Sequence, residues 1–480
     1  MLNRRRFTAA LAGAAAVPSR AATSRPNIVY ILCDDLGWGD LGCYNKDSKI
    51  PTPNADRLAS QGVRFTDMHS PSSVCTPTRY GILTGRYCWR GRLKSGVLDG
   101  WGSNLIEEGR MTVASMLKSQ GYHTAAIGKW HLGFQNRQPV NFDQPLRPGP
   151  LDHGFDYFFG IPASLDFEPY LFVDGDRPVE KATATTPGRN EPRGVFWRKG
   201  AIAPGFTMEG CLPKLGEKAV EYLRSRAKEP DRPFFLYFPL TGPHTPWVPL
   251  KKFEGRSGAG LYGDFVVQVD ELLGTIVRTL EETRLASNTV LVFTSDNGAH
   301  WTPDDKAKFP HRANGPWKGM KADISEAGHR IPFLVRWPGR IKPGTVSSQL
   351  GCLTDLMATA AEITGLRLPA GAGEDSYSWL AAATGAKPST PMREAIVHHS
   401  SMGLFSIRRG NWKLCLGRGS GGFSEPRKIV PASGEPEGEL YDLDSDPTES
   451  RNLYASQPKV VAELTALLDN YKTSGRSRPA

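Results

Sequence analysis

Residues 74–87 read V-C-T-P-T-R-Y-G-I-L-T-G-R-Y. Pro77 suits the first turn of a helix, where a missing N–H removes no hydrogen bond. Gly85 suits the left-handed position that ends one. The stretch therefore predicts a short helix that opens at Cys75 and stops at Gly85. Free backbone N–H groups and the positive dipole end lie where Cys75 enters it. Arg79, four residues on, returns to the same side one turn later. A potential nucleophile, an anion-attracting helix start and a guanidinium thus gather in one place. Read alone, Cys75 better suits a plain buried cysteine beside a capped helix, because free cysteine is among the most buried residue types. The rest of the chain decides by what it brings to the same place.

Upstream, residues 27–33 (N-I-V-Y-I-L-C) form a nearly continuous apolar run rich in β-branched side chains. Such a run predicts a strand buried on both faces, as in a parallel sheet. Similar runs occupy residues 123–127, 234–238, 289–294 and 331–337, and residues 65–69 read as a strand leading to Cys75. Helical patterns alternate with them at 53–62, 112–120, 215–227, 262–285 and 354–365. In 262–285 the apolar stripe is Phe265, Val266, Val269, Leu272, Leu273, Ile276 and Leu280. The alternation predicts an α/β fold with a large, mostly parallel central sheet flanked by helices. From about residue 386 the pattern changes to short strand candidates at 395–399, 404–408, 411–415 and 439–443, then a helix at 458–471. This predicts a smaller C-terminal α+β subdomain with a short antiparallel sheet. The expected organisation is a signal over 1–22, a catalytic domain over 23–385 and the subdomain over 386–480.

The strand ends carry the polar chemistry. Asp34 and Asp35 follow the first strand, and adjacent acids there are costly unless something positive sits beside them. Ligand sites of open α/β sheets lie at that edge. The pair also suits a helix cap or a turn. Ser295-Asp296-Asn297-Gly298 repeats the pattern after a second strand. Lys129 and His131 are separated by one residue, so on extended backbone they face one side. His244 stands between Pro243 and Pro246 on a strand-end loop, which holds it in place. His300 lies three residues past Asn297, where substrate contact and packing both remain open. Three carboxylates and an amide oxygen are hard ligands, suited to Ca²⁺ or Mg²⁺ rather than zinc or copper, and a flexible set of five or more favours Ca²⁺. Residues 174–205 are rich in Pro, Gly, Thr and charge and read as a long loop, often a substrate-facing wall in a compact enzyme.

Composition narrows the class. With 39% hydrophobic and 22% charged residues over 480, the chain is globular rather than disordered. Arg4, Arg5, Arg6 and Phe7 precede a short apolar run, which resembles a Tat signal and predicts an exported protein, periplasmic or secreted. No later apolar run is long enough to span a bilayer. The net charge of +10 favours acidic partners such as sulfated polymers. No zinc-finger, RNP or helix-turn-helix pattern is present, so nucleic acid is not an expected partner. Seven cysteines leave at least one unpaired, no pairing is readable, and there is no C-x-x-C.

C-T-P-T-R followed by L-T-G-R resembles the defining motif of the formylglycine-dependent (type I) sulfatases, arylsulfatase A-like members of the alkaline phosphatase superfamily. D-D-L-G-W-G-D-L-G-C-Y, G-K-W-H-L-G, G-P-H-T-P-W, T-S-D-N-G and E-L-Y-D-L-D-S-D-P-T-E resemble further segments of that family, and the resemblance covers nearly the whole mature chain. After Glu326 the family usually has two glycines, and here Ala327 replaces the first. Spacing from Glu326 makes Lys321, not Lys318, the match to the family's active-site lysine. The resemblance implies that Cys75 is oxidised to 3-oxoalanine (formylglycine), hydrated, and used as the nucleophile. It implies Ca²⁺, ahead of Mg²⁺, on Asp34, Asp35, modified Cys75, Asp296 and Asn297. Arg79 and Lys129 would hold the modified residue, His131 would act as base, and His244 with Lys321 would serve the leaving alcohol. Lys129, His244 and Lys321, with His300 added, would bind substrate. The implied function is sulfuric ester hydrolysis on sulfated carbohydrate. The implied partner is a formylglycine-generating or anaerobic sulfatase-maturing enzyme. Two alternatives stand beside it. One is a phosphonate monoester or phosphodiester hydrolase of the same superfamily. The other is a non-catalytic, exported polysaccharide-binding protein.

Overall fold

The computed structural model describes residues 25–385 and 391–479. Its main sheet has ten strands. In chain order these are β1 (Asn27–Asp34), β2 (Val63–Phe65), β3 (His123–Lys129), β4 (Tyr157–Ile161), β5 (Val173–Asp174), β6 (Arg177–Pro178), β7 (Phe234–Pro243), β8 (Thr289–Ser295), β9 (Phe333–Arg336) and β10 (Thr345–Ser347). Across the sheet the order is β10-β2-β9-β8-β1-β7-β3-β4-β5-β6. β8, β1, β7, β3 and β4 pair in parallel, so their carboxyl ends share one edge. β9 runs antiparallel between β8 and β2. Every residue of β1 is buried, as its unbroken apolar pattern requires. Burying each large side chain there contributes about 2 kcal/mol.

The helices that cover the sheet are α1 (Pro53–Gln61), α2 (Cys75–Thr84), α3 (Val113–Ser119), α4 (Met208–Arg226), α5 (Gly260–Glu282) and α6 (Leu356–Thr364). α5 packs on α1, α4 and β7, whereas α2, α3 and α6 pack on one another. The C-terminal subdomain is a four-stranded antiparallel sheet, β11 (Ile396–His399), β12 (Phe405–Arg409), β13 (Trp412–Cys415) and β14 (Glu439–Asp442), with α7 (Pro458–Thr473) across β12 and β13. Ile396, Val397, Ile407, Leu414, Leu440, Leu464 and Leu468 give it a small core.

Three local expectations change. Residues 65–69 are not one strand: β2 ends at Phe65, and Met68–His69 pairs with Gly351–Cys352 in a separate sheet. Between them Asp67 turns to the guanidinium groups of Arg330 and Arg408, both 2.8 Å away. α4 begins at Met208 rather than 215, because Thr207 caps it by accepting from the Gly210 N–H. Pro213 is carried inside its early turns. The long loop contains a small ribbon, Ala184–Thr186 against Gly200–Ile202. All seven cysteines are free thiols. No helix among the described residues is long and apolar enough to cross a membrane. The signal expected over 1–22 lies outside the described residues, as does the subdomain break expected at 386.

Candidate active site

α2 starts at Cys75 and ends at Gly85, whose φ of 63° is the left-handed stop that the sequence predicts. Its N–H returns to the Gly81 carbonyl at 2.9 Å. Cys75 is buried, and burial pushes its thiol up to about 11 against the pull of Lys129 and Lys321. At neutral pH the thiol stays protonated, so as cysteine this residue is a poor nucleophile.

Asp34 closes β1, and Asp35 leaves it with a φ of 64°, which turns its side chain back toward the sheet edge. The left-handed backbone that Asp tolerates lets two successive carboxylates reach one point. Donor atoms of Asp34, Asp35 and Asp296 lie within 4.8 Å of one another, and so do those of Asp34, Cys75 and His244. Cations bracket the acids. Arg79 Nε and Nη2 donate to Asp296 Oδ2 at 3.2 and 2.8 Å, and Nη1 donates to the Lys129 carbonyl at 2.9 Å. Lys129 Nζ donates to Asp34 Oδ2 at 2.6 Å and Lys321 Nζ to Asp35 Oδ2 at 2.8 Å. Asn297 Nδ2 donates to Asp35 Oδ1 at 2.6 Å. Lys318 instead donates to the Glu449 carbonyl, so Lys321 is the lysine at the cluster.

Two oxygens remain. Asp34 Oδ1 and Asn297 Oδ1 are buried with no hydrogen-bond partner among the described residues. Leaving a buried acceptor unpaired costs about 1–3 kcal/mol, and more for a charged one. Despite burial, Lys129, His244 and Arg79 hold the Asp34 carboxyl far below its usual range, and Lys321 and His244 lower Asp35. Burial and the charge of Asp34 push Asp296 the other way, up to about 7. A further positive charge at this point would favour the ionised form of Asp296 as well. Hard oxygen donors, two of them orphaned, fit a divalent cation such as Ca²⁺ or Mg²⁺.

His131 corrects an expectation. Its φ of 58° breaks the extended path after Lys129, so the two do not share one extended face. The ring is fixed another way: Nε2 donates to the Leu98 carbonyl at 2.6 Å, leaving Nδ1 buried without a partner. Burial, with Lys129 and Arg79 nearby, holds its pKa well below the ordinary value, so the ring is neutral and Nδ1 carries a lone pair. His244 Nε2 lies 3.7 Å from Asp35 Oδ2 and 3.2 Å from Ser164 Oγ. Ser164 also accepts from Lys129 Nζ at 3.1 Å. Sequence reasoning missed Ser164, which stands in no motif. Its place just past β4, at the edge where the other ligand-bearing strands end, is the signal that points to it. Among the described residues, the His300 ring forms no hydrogen bond or ion pair with the carboxylates. Its ring lies 5.3 Å from that of Phe423, and its carbonyl accepts from Arg193 at 3.4 Å.

Residues 26–366 match the family model described as Sulfatase. The chain is 34% identical over 485 residues to an N-acetylgalactosamine-6-O-sulfatase of Bacteroides thetaiotaomicron, with 94% of each chain covered. It is 33% identical to human arylsulfatase A, covering 96% of this chain and 91% of that one. A solved Bacteroides thetaiotaomicron structure, from work on the metabolism of multiple glycosaminoglycans, superposes with a TM-score of 0.83 at 34% identity over 94% of this chain and 100% of that chain. With the strand-edge acids, the cysteine-headed helix and the flanking lysines and histidines in one cluster, this chain belongs to the formylglycine-dependent sulfatase family, whose members hydrolyse sulfuric esters.

Proposed function

We propose that the chain hydrolyses sulfate esters of sulfated carbohydrate, using as nucleophile residue 75 after its oxidation from cysteine to formylglycine. The observation that carries this reading is the meeting of Asp34, Cys75 and His244 within 4.8 Å, beside two buried oxygens without partners. A thiol held near 11 does little as it stands, which suits a position awaiting oxidation. The carbohydrate substrate is supported by the N-acetylgalactosamine-6-O-sulfatase relative. Export through the signal at residues 1–22 belongs to the same reading.

Asp34, Asp35, Asp296, Asn297 and the oxidised residue 75 would hold Ca²⁺, which when bound attracts the sulfate and draws negative charge from it. The chain's own groups do the rest. Lys129 and Lys321 neutralise sulfate oxygens and their developing charge. Arg79 fixes Asp296 and the end of β3 together. His131, neutral with Nδ1 free, takes a proton from the hydroxyl at residue 75. His244, assisted by Lys321, gives one to the leaving alcohol oxygen.

The reading is tested by mass spectrometry of tryptic peptide 65–79 from protein made with a maturation enzyme, alongside turnover of an aryl sulfate. Formylglycine at 75 with turnover is expected, and full activity with an unmodified cysteine would overturn the mechanism. C-x-P-x-R is shared with the phosphonate and phosphodiester hydrolases of the superfamily, so a phosphodiester run in the same assay separates that second reading. Faster phosphodiester cleavage would favour it.

A further inference from the structure

The C-terminal subdomain reaches over the segment that carries Lys321. Ile324 N–H donates to the Ser420 carbonyl at 2.8 Å and Ser401 N–H to the Ala322 carbonyl at 3.0 Å. Asp323, two residues past Lys321, clamps the tip of the overlying loop. Its Oδ1 accepts from the Phe423 and Ser424 N–H groups at 2.8 and 3.0 Å, and its Oδ2 from Ser424 Oγ. Gly422 lies so close that an added Cβ would stand 2.3 Å from the Ala322 carbonyl oxygen, so only glycine passes there. The loop is held hard, yet its large side chain is not buried. Phe423 is 42% exposed.

Phe423 is exposed on the side where it meets His300. Its ring sits 5.3 Å from that of His300, tilted by 57°. His300 lies near enough to feel the charges of Arg193, Lys321 and Asp35, and the carbonyl of its neighbour Ala299 accepts from the Lys321 N–H at 3.0 Å. Arg193, from the long loop, fastens the opposite side. It pairs with Asp305 at 2.7 Å, donates to the His300 carbonyl, and covers Trp247 at 4.7 Å. A polar network thus holds one exposed aromatic face and one imidazole beside the segment that carries Lys321. An aromatic face rimmed by polar groups matches a sugar ring, whose C–H bonds present an apolar side and whose hydroxyls point outward.

We propose that Phe423 is a substrate-specificity residue: its ring stacks on the sugar whose sulfate enters the Cys75 centre, with His300 completing the platform. This rests on the carbohydrate reading above and assigns to the C-terminal subdomain a direct share in choosing the substrate.

The test compares wild type, Phe423→Ala and Phe423→Trp on N-acetylgalactosamine 6-sulfate and on 4-nitrophenyl sulfate. It also measures inhibition by inorganic sulfate, which reports the sulfate pocket alone. Removing the ring is expected to raise KM for the sugar roughly five- to tenfold. The kcat and the sulfate inhibition constant should stay within about twofold, and Phe423→Trp should keep the wild-type KM. An unchanged sugar KM in Phe423→Ala would overturn the platform while leaving the carbohydrate reading intact. A sulfate inhibition constant that rises in step with KM would also overturn it, by showing damage to the pocket itself. Wild-type enzyme that cleaves 4-nitrophenyl sulfate but no sulfated sugar would remove the carbohydrate reading and the platform with it.

Discussion

Around Asp34 and around Glu326 the chain buries two clusters of the same formal composition, three carboxylates with three cations each. The first joins Asp34, Asp35 and Asp296 to Arg79, Lys129 and Lys321. The second joins Asp67, Glu326 and Glu449 to Arg330, Arg408 and Lys413. In the second every carboxylate oxygen is answered. Asp67 Oδ1 and Oδ2 take Arg408, Glu326 Oε1 and Oε2 take Lys413 and Arg330, and Glu449 Oε1 and Oε2 take Lys413 and the Glu326 N–H. Arg408, Lys413 and Glu449 come from the C-terminal subdomain, so this cluster fastens it to the main sheet. In the first, Asp34 Oδ1 and Asn297 Oδ1 are left over. Equal charge therefore says little about purpose. The unspent lone pairs distinguish a site built to bind from a joint built to hold.

The largest effect expected from this contrast is in the first cluster. Cys75→Ala should lower turnover by at least about 10⁴-fold, because the nucleophile is gone, while thermal unfolding stays near wild type. Near-wild-type turnover in that variant would break the comparison at its functional end. Glu326→Gln should do the reverse. Removing one partner of a buried network costs about 3–5 kcal/mol, read by denaturant unfolding, while the folded fraction keeps its specific activity to within a few-fold. A variant of unchanged stability would show that the second cluster is not a joint.

Acid should sharpen the contrast further. Burial, and then Arg330, holds His69 at about 4. In the unfolded chain a histidine takes its proton near 6.5. The unfolded state therefore binds more protons between these values, and stability falls as pH drops from about 6.5 to 4, by up to ~1.4 kcal/mol per pH unit. Asp67 adds a lower window. Despite burial, Arg330, His69 and Arg408 hold its pKa far down, so its contribution is present above about pH 4 and lost as pH falls through the folded value. Melting curves that stay flat from pH 7 to 4.5 would contradict the first window. The smallest effect is expected on the surface. Lys181 and Asp143 meet at 2.6 Å but are 71% and 67% exposed, so Lys181→Ala should change stability by less than about 1 kcal/mol.

These clusters also differ in how far the sequence disclosed them. The acids and lysine of the first stand at strand ends inside short recognisable runs, so local pattern places them on one edge once a parallel sheet is inferred. Cys75 and Gly85 mark their helix by backbone chemistry alone. In the second cluster Glu326 and Glu449 lie in recognisable segments, but nothing in the sequence joins them to each other or to Asp67. Asp67, Arg408 and Lys413 lie far apart in the chain, and each reads as an ordinary surface charge until the subdomain folds back. Ser164 was hidden because a serine in a loop has many structural uses. The bend at His131 was hidden because nothing in the run around it marks a left-handed backbone, and its ring's partner, the Leu98 carbonyl, lies far away in the chain. The architecture was more legible than the contacts, since apolar periodicity is local and hydrogen-bond satisfaction is not.

The most direct test of the central contrast is calorimetric titration of Ca²⁺ into chelator-stripped, formylglycine-bearing protein, with unfolding followed at each concentration. One ion per chain is predicted, with about 2.7 kcal/mol of added stability at a hundred times the dissociation constant. That gain should vanish in Asp35→Asn and persist in Arg408→Lys, a change confined to the second cluster. No binding of Ca²⁺ or Mg²⁺ by the wild type, or binding that survives Asp35→Asn unchanged, would contradict the account.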